Sequence, residues 1–280
     1  MPDFSIALSD GEVSSGEAYL NETPVLQSHV GTQPDLFLRW NRIPVSVASV
    51  DVVVHLHGFS HEGRAMPLLE KVMSSGLDLS GRERPTLAML PRGNWLRHSY
   101  YDFPALLCGG IDQLIEHGLR QLARAMTSAL SGAPVAIEMD RFVLTAHSGG
   151  GMPAVDVIAG ARTAPDEFYV FDGLYGRDPA LGNPLEGLEA IDRWLGERLQ
   201  QEPQRAGALR VIYIEQQTGP FSRRVAELIG KNIAAAAPNL AASLTQRYRV
   251  EVSGIQHSQI ARRCMPELLT AADAQFDWRR

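Results

Sequence analysis

The chain has 280 residues, 45% of them hydrophobic and 21% charged, with a formal net charge of −6 and two cysteines. That length buries a sizeable core; the acidic balance and the shortness of basic clusters such as Arg262-Arg263 and Arg279-Arg280 speak against nucleic-acid binding. Cys108 and Cys264 build no disulfide framework, apolar stretches fall short of the ~20 residues of a membrane span, and the start MPDFSIALSDGEVSSGEAYL lacks a secretory pattern, so a cytoplasmic protein is expected.

Residues 1–45, with strand-like Leu36-Phe37-Leu38-Arg39-Trp40, are read as antiparallel edge strands. From residue 48 onward, short apolar runs alternate with helix-like stretches, the signature of a mostly parallel sheet covered by helices on both faces. Val50 to Leu56 reads as a buried strand, Met66 to Ser74 as helical, and Thr86 to Leu90 as a strand stopped by Pro91. Residues 111–130 carry the clearest helix, with Ile111, Leu114, Ile115, Leu119, Leu122 and Met126 on one stripe; Ser131-Gly132 and Pro134 end it. Strands follow at Arg141–Ala146 and Glu167–Phe171. A helix carrying Leu188, Ile191, Leu195 and Leu199 is next, then a strand Val211–Ile214 and a helix Phe221–Ala237. The last strand, Arg247–Val252, precedes a C-terminal helix. No linker separates two folding units, so residues 1–280 are read as a single α/β domain.

The segment Phe142-Val143-Leu144-Thr145-Ala146-His147-Ser148-Gly149-Gly150-Gly151 runs a strand straight into a small-residue turn centred on a serine, with a helix expected from Met152. A serine on such a turn is held in a strained backbone, and bulky residues two positions away would clash, which accounts for Ala146 and Gly150. The N–H groups that open the helix suit a developing oxyanion. The pattern Ala146-His147-Ser148-Gly149-Gly150 resembles the nucleophile elbow of the α/β-hydrolase superfamily, Gly-x-Ser-x-Gly, with alanine in place of the first glycine. A phosphate-binding turn is the rival, but no Gly-Lys-Ser/Thr ending and no Gly-x-Gly-x-x-Gly order is present.

Upstream, Val52-Val53-Val54-His55-Leu56-His57-Gly58-Phe59 resembles the strand ending in His-Gly that supplies half of the superfamily's oxyanion hole. That resemblance implies that the backbone N–H groups of Phe59 and Gly149 hold the tetrahedral oxygen. A metal site built on His55, His57 and His61 competes for the same residues. Metallo-hydrolases with a His-x-His-x-Asp-His motif, however, put aspartate and histidine where this chain has Phe59 and Ser60. In the same superfamily the catalytic histidine lies in the loop after the last strand. Here that loop, Ser253-Gly254-Ile255-Gln256-His257-Ser258, offers His257 as general base, a role suited to a side chain that exchanges protons near neutrality.

The orienting carboxylate has two candidates. Glu215 follows the strand Val211–Ile214, the more frequent position in the superfamily. Asp172 follows Phe168–Phe171, ends an apolar strand, precedes glycine and is favoured. Residues 91–101, with several arginines and aromatics after a strand, are a candidate pocket wall, and Cys108 is read as structural. The section from Gly173 to Gln204 is too short for a large lid. Together these features imply a doubly wound, mostly parallel α/β-hydrolase fold and a serine hydrolase acting on a small-molecule or acyl substrate, with no metal and no organic cofactor. Ester cleavage is favoured over amide cleavage and acyl transfer. A metallo-hydrolase and a non-catalytic binding module stay open, and the oligomeric state is not legible.

Overall fold

The computed structural model describes residues 6–59, 65–96, 100–130, 132, 134–176, 186–201, 207–236 and 241–278. Eight strands hydrogen-bond into one sheet: β1 Gly16–Leu20, β2 Leu36–Trp40, β3 Ser49–Leu56, β4 Thr86–Pro91, β5 Glu138–His147, β6 Glu167–Phe171, β7 Ala208–Tyr213 and β8 Tyr248–Val252. Across the sheet their order is β1-β2-β4-β3-β5-β6-β7-β8. β2 runs antiparallel to both β1 and β4, and every pairing from β4 through β8 is parallel. The helices are α1 Leu68–Ser75, α2 Gly110–Ala129, α3 Gly151–Gly160, α4 Leu188–Leu199, α5 Gly219–Ala236, α6 Ala241–Arg247 and α7 His257–Thr270. None is long and apolar enough to cross a membrane, among the described residues.

Side chains alternate across a strand, and β3 shows both destinations. Val52, Val54 and Leu56 enter one apolar layer, which also holds Leu114 of α2, Val155 of α3, Ile191 of α4 and Val225 of α5. Val53 enters the other, with Leu68 and Val72 of α1 and Ile260 and Leu268 of α7. Both faces are therefore buried, which is why the central strands read as continuous apolar runs rather than as alternating ones. Burying each such valine or leucine is worth about 1.5–3 kcal/mol. From β3 the chain steps outward to β4 and then returns to the other side of β3 as β5. A crevice opens at the carboxyl ends of strands where the winding reverses in this way.

Element boundaries shift from expectation in several places, two of them with a clear physical reason. Pro91 belongs to β4, paired with Leu36 of β2. The parallel ladder to β3 ends at Met89, so its missing N–H interrupts nothing there. Arg247 ends the short helix α6 instead of opening β8, and no cap or apolar stripe marks that helix in the sequence.

Candidate active site

β5 ends at His147, and Ser148 follows at φ 53°, a left-handed backbone that is uncommon for a non-glycine residue. A single 3₁₀ turn, Ser148–Gly150, then leads into α3, one residue earlier than the start expected at Met152. The turn is packed backbone against backbone: a Cβ on Gly150 would collide with the Leu56 carbonyl. Hence only glycine fits there, and Ser148 is held nearly buried with its side chain at the crevice.

Around Ser148 the structure brings together two of the predicted residues. His257 Nε2 lies 2.9 Å from Ser148 Oγ, and His257 Nδ1 lies 2.6 Å from Asp172 Oδ2. Asp172 comes directly after β6, also in the left-handed region at φ 47°. Its other oxygen accepts from the Ile214 N–H at 2.9 Å and from the Thr218 hydroxyl. Burial alone would raise this carboxyl's pKa, but the hydrogen bonds from His257, Ile214 and Thr218 together outweigh it and hold the pKa below the ordinary value. A carboxylate fixed on Nδ1 selects the tautomer with Nε2 free to accept, so the ring can take the Ser148 proton.

Glu215 is not part of this cluster: its exposed carboxylate pairs with Arg223. Several further residues in the site are not marked by the sequence. Thr218, on the turn after β7, anchors Asp172. Tyr175 places its hydroxyl 3.4 Å from Ser148 Oγ, and burial raises its pKa, so the phenol stays neutral. His147 stacks on His257 with ring centroids 4.9 Å apart, and its Nε2–H donates to the His257 carbonyl at 3.1 Å. Burial, with His257 beside it, pushes its pKa down to about 4, so it too is neutral.

The segment after β3 lies against the elbow. A Cβ on Gly58 would fall 2.6 Å from Ser148 Cβ, and the Phe59 ring covers Gly149 so closely that any side chain at 149 would strike it. His57 Nε2 accepts from the Gly93 N–H at 3.0 Å, which leaves the proton on Nδ1 to donate to the Gly58 carbonyl at 2.9 Å. Lys71 of α1, also buried, donates from Nζ to the same carbonyl at 2.9 Å and to that of Phe59. His55 points to Thr145 Oγ1 at 2.9 Å, and burial lowers its pKa to about 3. His55 and His57 thus face different partners. His61 lies outside the described residues, among which no group of three His, Cys, Asp or Glu side chains could hold a metal.

Ser148, His257, Asp172, Tyr175, Phe59 and Lys71 line a cleft of about 910 Å³, which Met66, Met73, Ile214, Gln216, Gln217 and Arg262 also border. Of the candidate wall at 91–101, residues 91–95 do not border it. Arg92 is instead buried, donating to the carbonyls of His29 and Thr32, and Asn94–Leu96 pairs with Tyr100–Asp102; residues 97–99 lie outside the described set. Cys108 sits away from the cleft at φ 50°, exposed.

No protein-family model matches the sequence, and no curated protein does. Solved structures match it over nearly its whole length. The fluorophosphonate-binding serine hydrolase F of Staphylococcus aureus, solved with substrate bound, aligns with a TM-score of 0.52 at 10% identity, covering 94% of this chain and 100% of that one. A serine hydrolase without a lid from Xanthomonas campestris gives a TM-score of 0.39 at 15% identity, covering 92% of this chain and 93% of that one. For esterase B from Lactobacillus rhamnosis the values are 0.43 and 13%, over 95% and 89% of the two chains. Strand order, the mostly parallel eight-stranded sheet and the full-length match to the staphylococcal structure agree: this chain has the α/β-hydrolase fold.

Proposed function

We propose that the protein, working as one domain over residues 1–280, is a serine hydrolase that cleaves carboxylic esters through an acyl-enzyme on Ser148. The observation that carries this reading is the unbroken hydrogen-bonded line from Ser148 Oγ through His257 to Asp172, at 2.9 and 2.6 Å. Ser148 Oγ attacks the carbonyl carbon while His257 Nε2 takes its proton, and Asp172 steadies the imidazolium that forms. The tetrahedral oxygen is met by the N–H groups of Phe59 and Gly149. Collapse expels the alcohol, which receives the proton from Nε2; water then repeats the sequence and frees the acid. The scheme needs no metal or organic cofactor.

An ester suits the open, partly apolar cleft, whose Met66, Met73 and Ile214 favour an acyl or alkyl group of modest size. The test is a panel of p-nitrophenyl esters of graded acyl length, combined with fluorophosphonate labelling. Turnover should vanish in Ser148→Ala, and mass spectrometry should place the label on Ser148. A label on another serine, or full activity in the alanine variant, overturns the assignment.

A further inference from the structure

We propose that Lys71 is a positioning residue for the oxyanion site: its side-chain nitrogen clamps the Gly58 and Phe59 carbonyls and so aims the Phe59 N–H at the tetrahedral oxygen. This rests on the serine-hydrolase reading and names a group that reading does not use. A peptide unit is planar and trans, so a carbonyl oxygen and the N–H of the next residue point in opposite directions. Fixing the Gly58 oxygen therefore fixes the Phe59 N–H. That oxygen accepts from two side chains, Lys71 Nζ and His57 Nδ1, each at 2.9 Å. Gly58 meanwhile backs directly onto Ser148, where a Cβ would be 2.6 Å from the serine Cβ. The carbonyl is thus held from α1, on the same peptide unit whose glycine packs against Ser148.

The chemistry of the clamp favours an ammonium. The chain has two lysines, Lys71 and Lys231, among its 26 basic residues. A compact ammonium can bond two successive carbonyls from one point, which a planar guanidinium fork does less well. A buried cation is costly unless hydrogen-bonded, and both carbonyls serve that purpose. A charged donor also polarises the peptide group, which strengthens its N–H as a donor at the far end. The titratable and charged groups near Lys71 are Glu70 on its own helix, His57 and His147 at the strand ends, and Asp172, His257 and Arg262 across the cleft. Burial brings the pKa of Lys71 down to about 8. The cation is therefore present at pH 7 and is lost as pH rises through about 8.

The test follows the second-order rate of fluorophosphonate labelling of Ser148 between pH 6.5 and 9.5, a reaction that needs no known substrate. In the wild-type protein the rate should fall above pH 8. In Lys71→Met it should be lower by about 10- to 100-fold at pH 7, with that alkaline fall gone; Lys71→Gln, a neutral donor, should recover part of the rate. With a p-nitrophenyl ester the loss should appear in kcat rather than in KM. A merely structural role would lower labelling at every pH and leave the alkaline fall in place, which overturns the proposal. A flat wild-type profile, or a Lys71→Met rate equal to wild type, overturns it as well. If the methionine variant does not fold, the wild-type profile and Lys71→Gln decide. Full turnover in Ser148→Ala, or a label elsewhere, would instead sink the serine-hydrolase reading itself.

Discussion

Ser148 and Asp172 share an uncommon property: each is a non-glycine residue in the left-handed region, at φ 53° and φ 47°, immediately after a parallel strand. Such a backbone is worth holding only where the surroundings over-determine it. For Asp172 they do, through the Ile214 N–H, the Thr218 hydroxyl and His257. Asp172→Asn keeps the shape but turns an amide toward Nδ1, which favours the wrong imidazole tautomer; kcat should drop by ~10⁴. Glu215→Gln, altering an exposed carboxylate paired with Arg223, should leave kcat near wild type, and the opposite ranking in steady-state kinetics would move the acid to Glu215. The choice between these carboxylates was legible in the sequence only through local setting, the apolar strand and the glycine beside Asp172. Thr218, Tyr175 and Lys71 were not, because nothing local to a threonine on a turn or a lysine in a helix reports which distant backbone it faces.

Elements read well where their periodicity was undivided. Val52-Val53-Val54 and Phe168-Tyr169-Val170 declare buried strands because both faces of the sheet are covered, and the stripe on α2 declares its own buried side. The seven-residue α6 has no such stripe, so from sequence β8 extends back over its last residue, Arg247. Long-range polar ties were equally hidden. Arg210 of β7, fully buried, pairs with Glu251 of β8 and donates to the carbonyls of Ala272 at 2.8 Å and Ala274 at 3.0 Å. It thereby fastens the segment after α7 to the end of the sheet. Glu251→Leu leaves that guanidinium short of its carboxylate, and should cost about 3–5 kcal/mol and lower Tm by roughly 5–9 °C. Adding Arg210→Met should restore part of the loss. Chemical denaturation of the two single variants and the double variant measures the coupling, and strictly additive losses would show that the pair acts as two separate contacts.

At the scale of the whole molecule, burial carries several of the described histidines neutral, among them His55, His57 and His147, the first pushed to about 3 and the last to about 4. In the unfolded chain they take up protons near pH 6.5. Their folded pKa values are depressed, so the stability they permit is complete above pH 6.5 and is lost as pH falls from there toward 4. Each contributes a slope of up to about 1.4 kcal/mol per pH unit in that window. Urea midpoints should therefore fall steadily below pH 6.5, and His55→Gln should make the decline shallower; a midpoint unchanged from pH 7 to pH 5 would contradict this. The chain order of the site has a consequence for synthesis. Ser148 and Asp172 follow β5 and β6, whereas His257 follows β8, the last strand of the sheet. A nascent chain that has left the ribosome only as far as β7 presents the serine and its future carboxylate without the imidazole that links them. On the proposed reading, the hydrolytic chemistry would therefore wait on the final strand, since the hydrogen-bonded line from Ser148 to Asp172 closes only through His257.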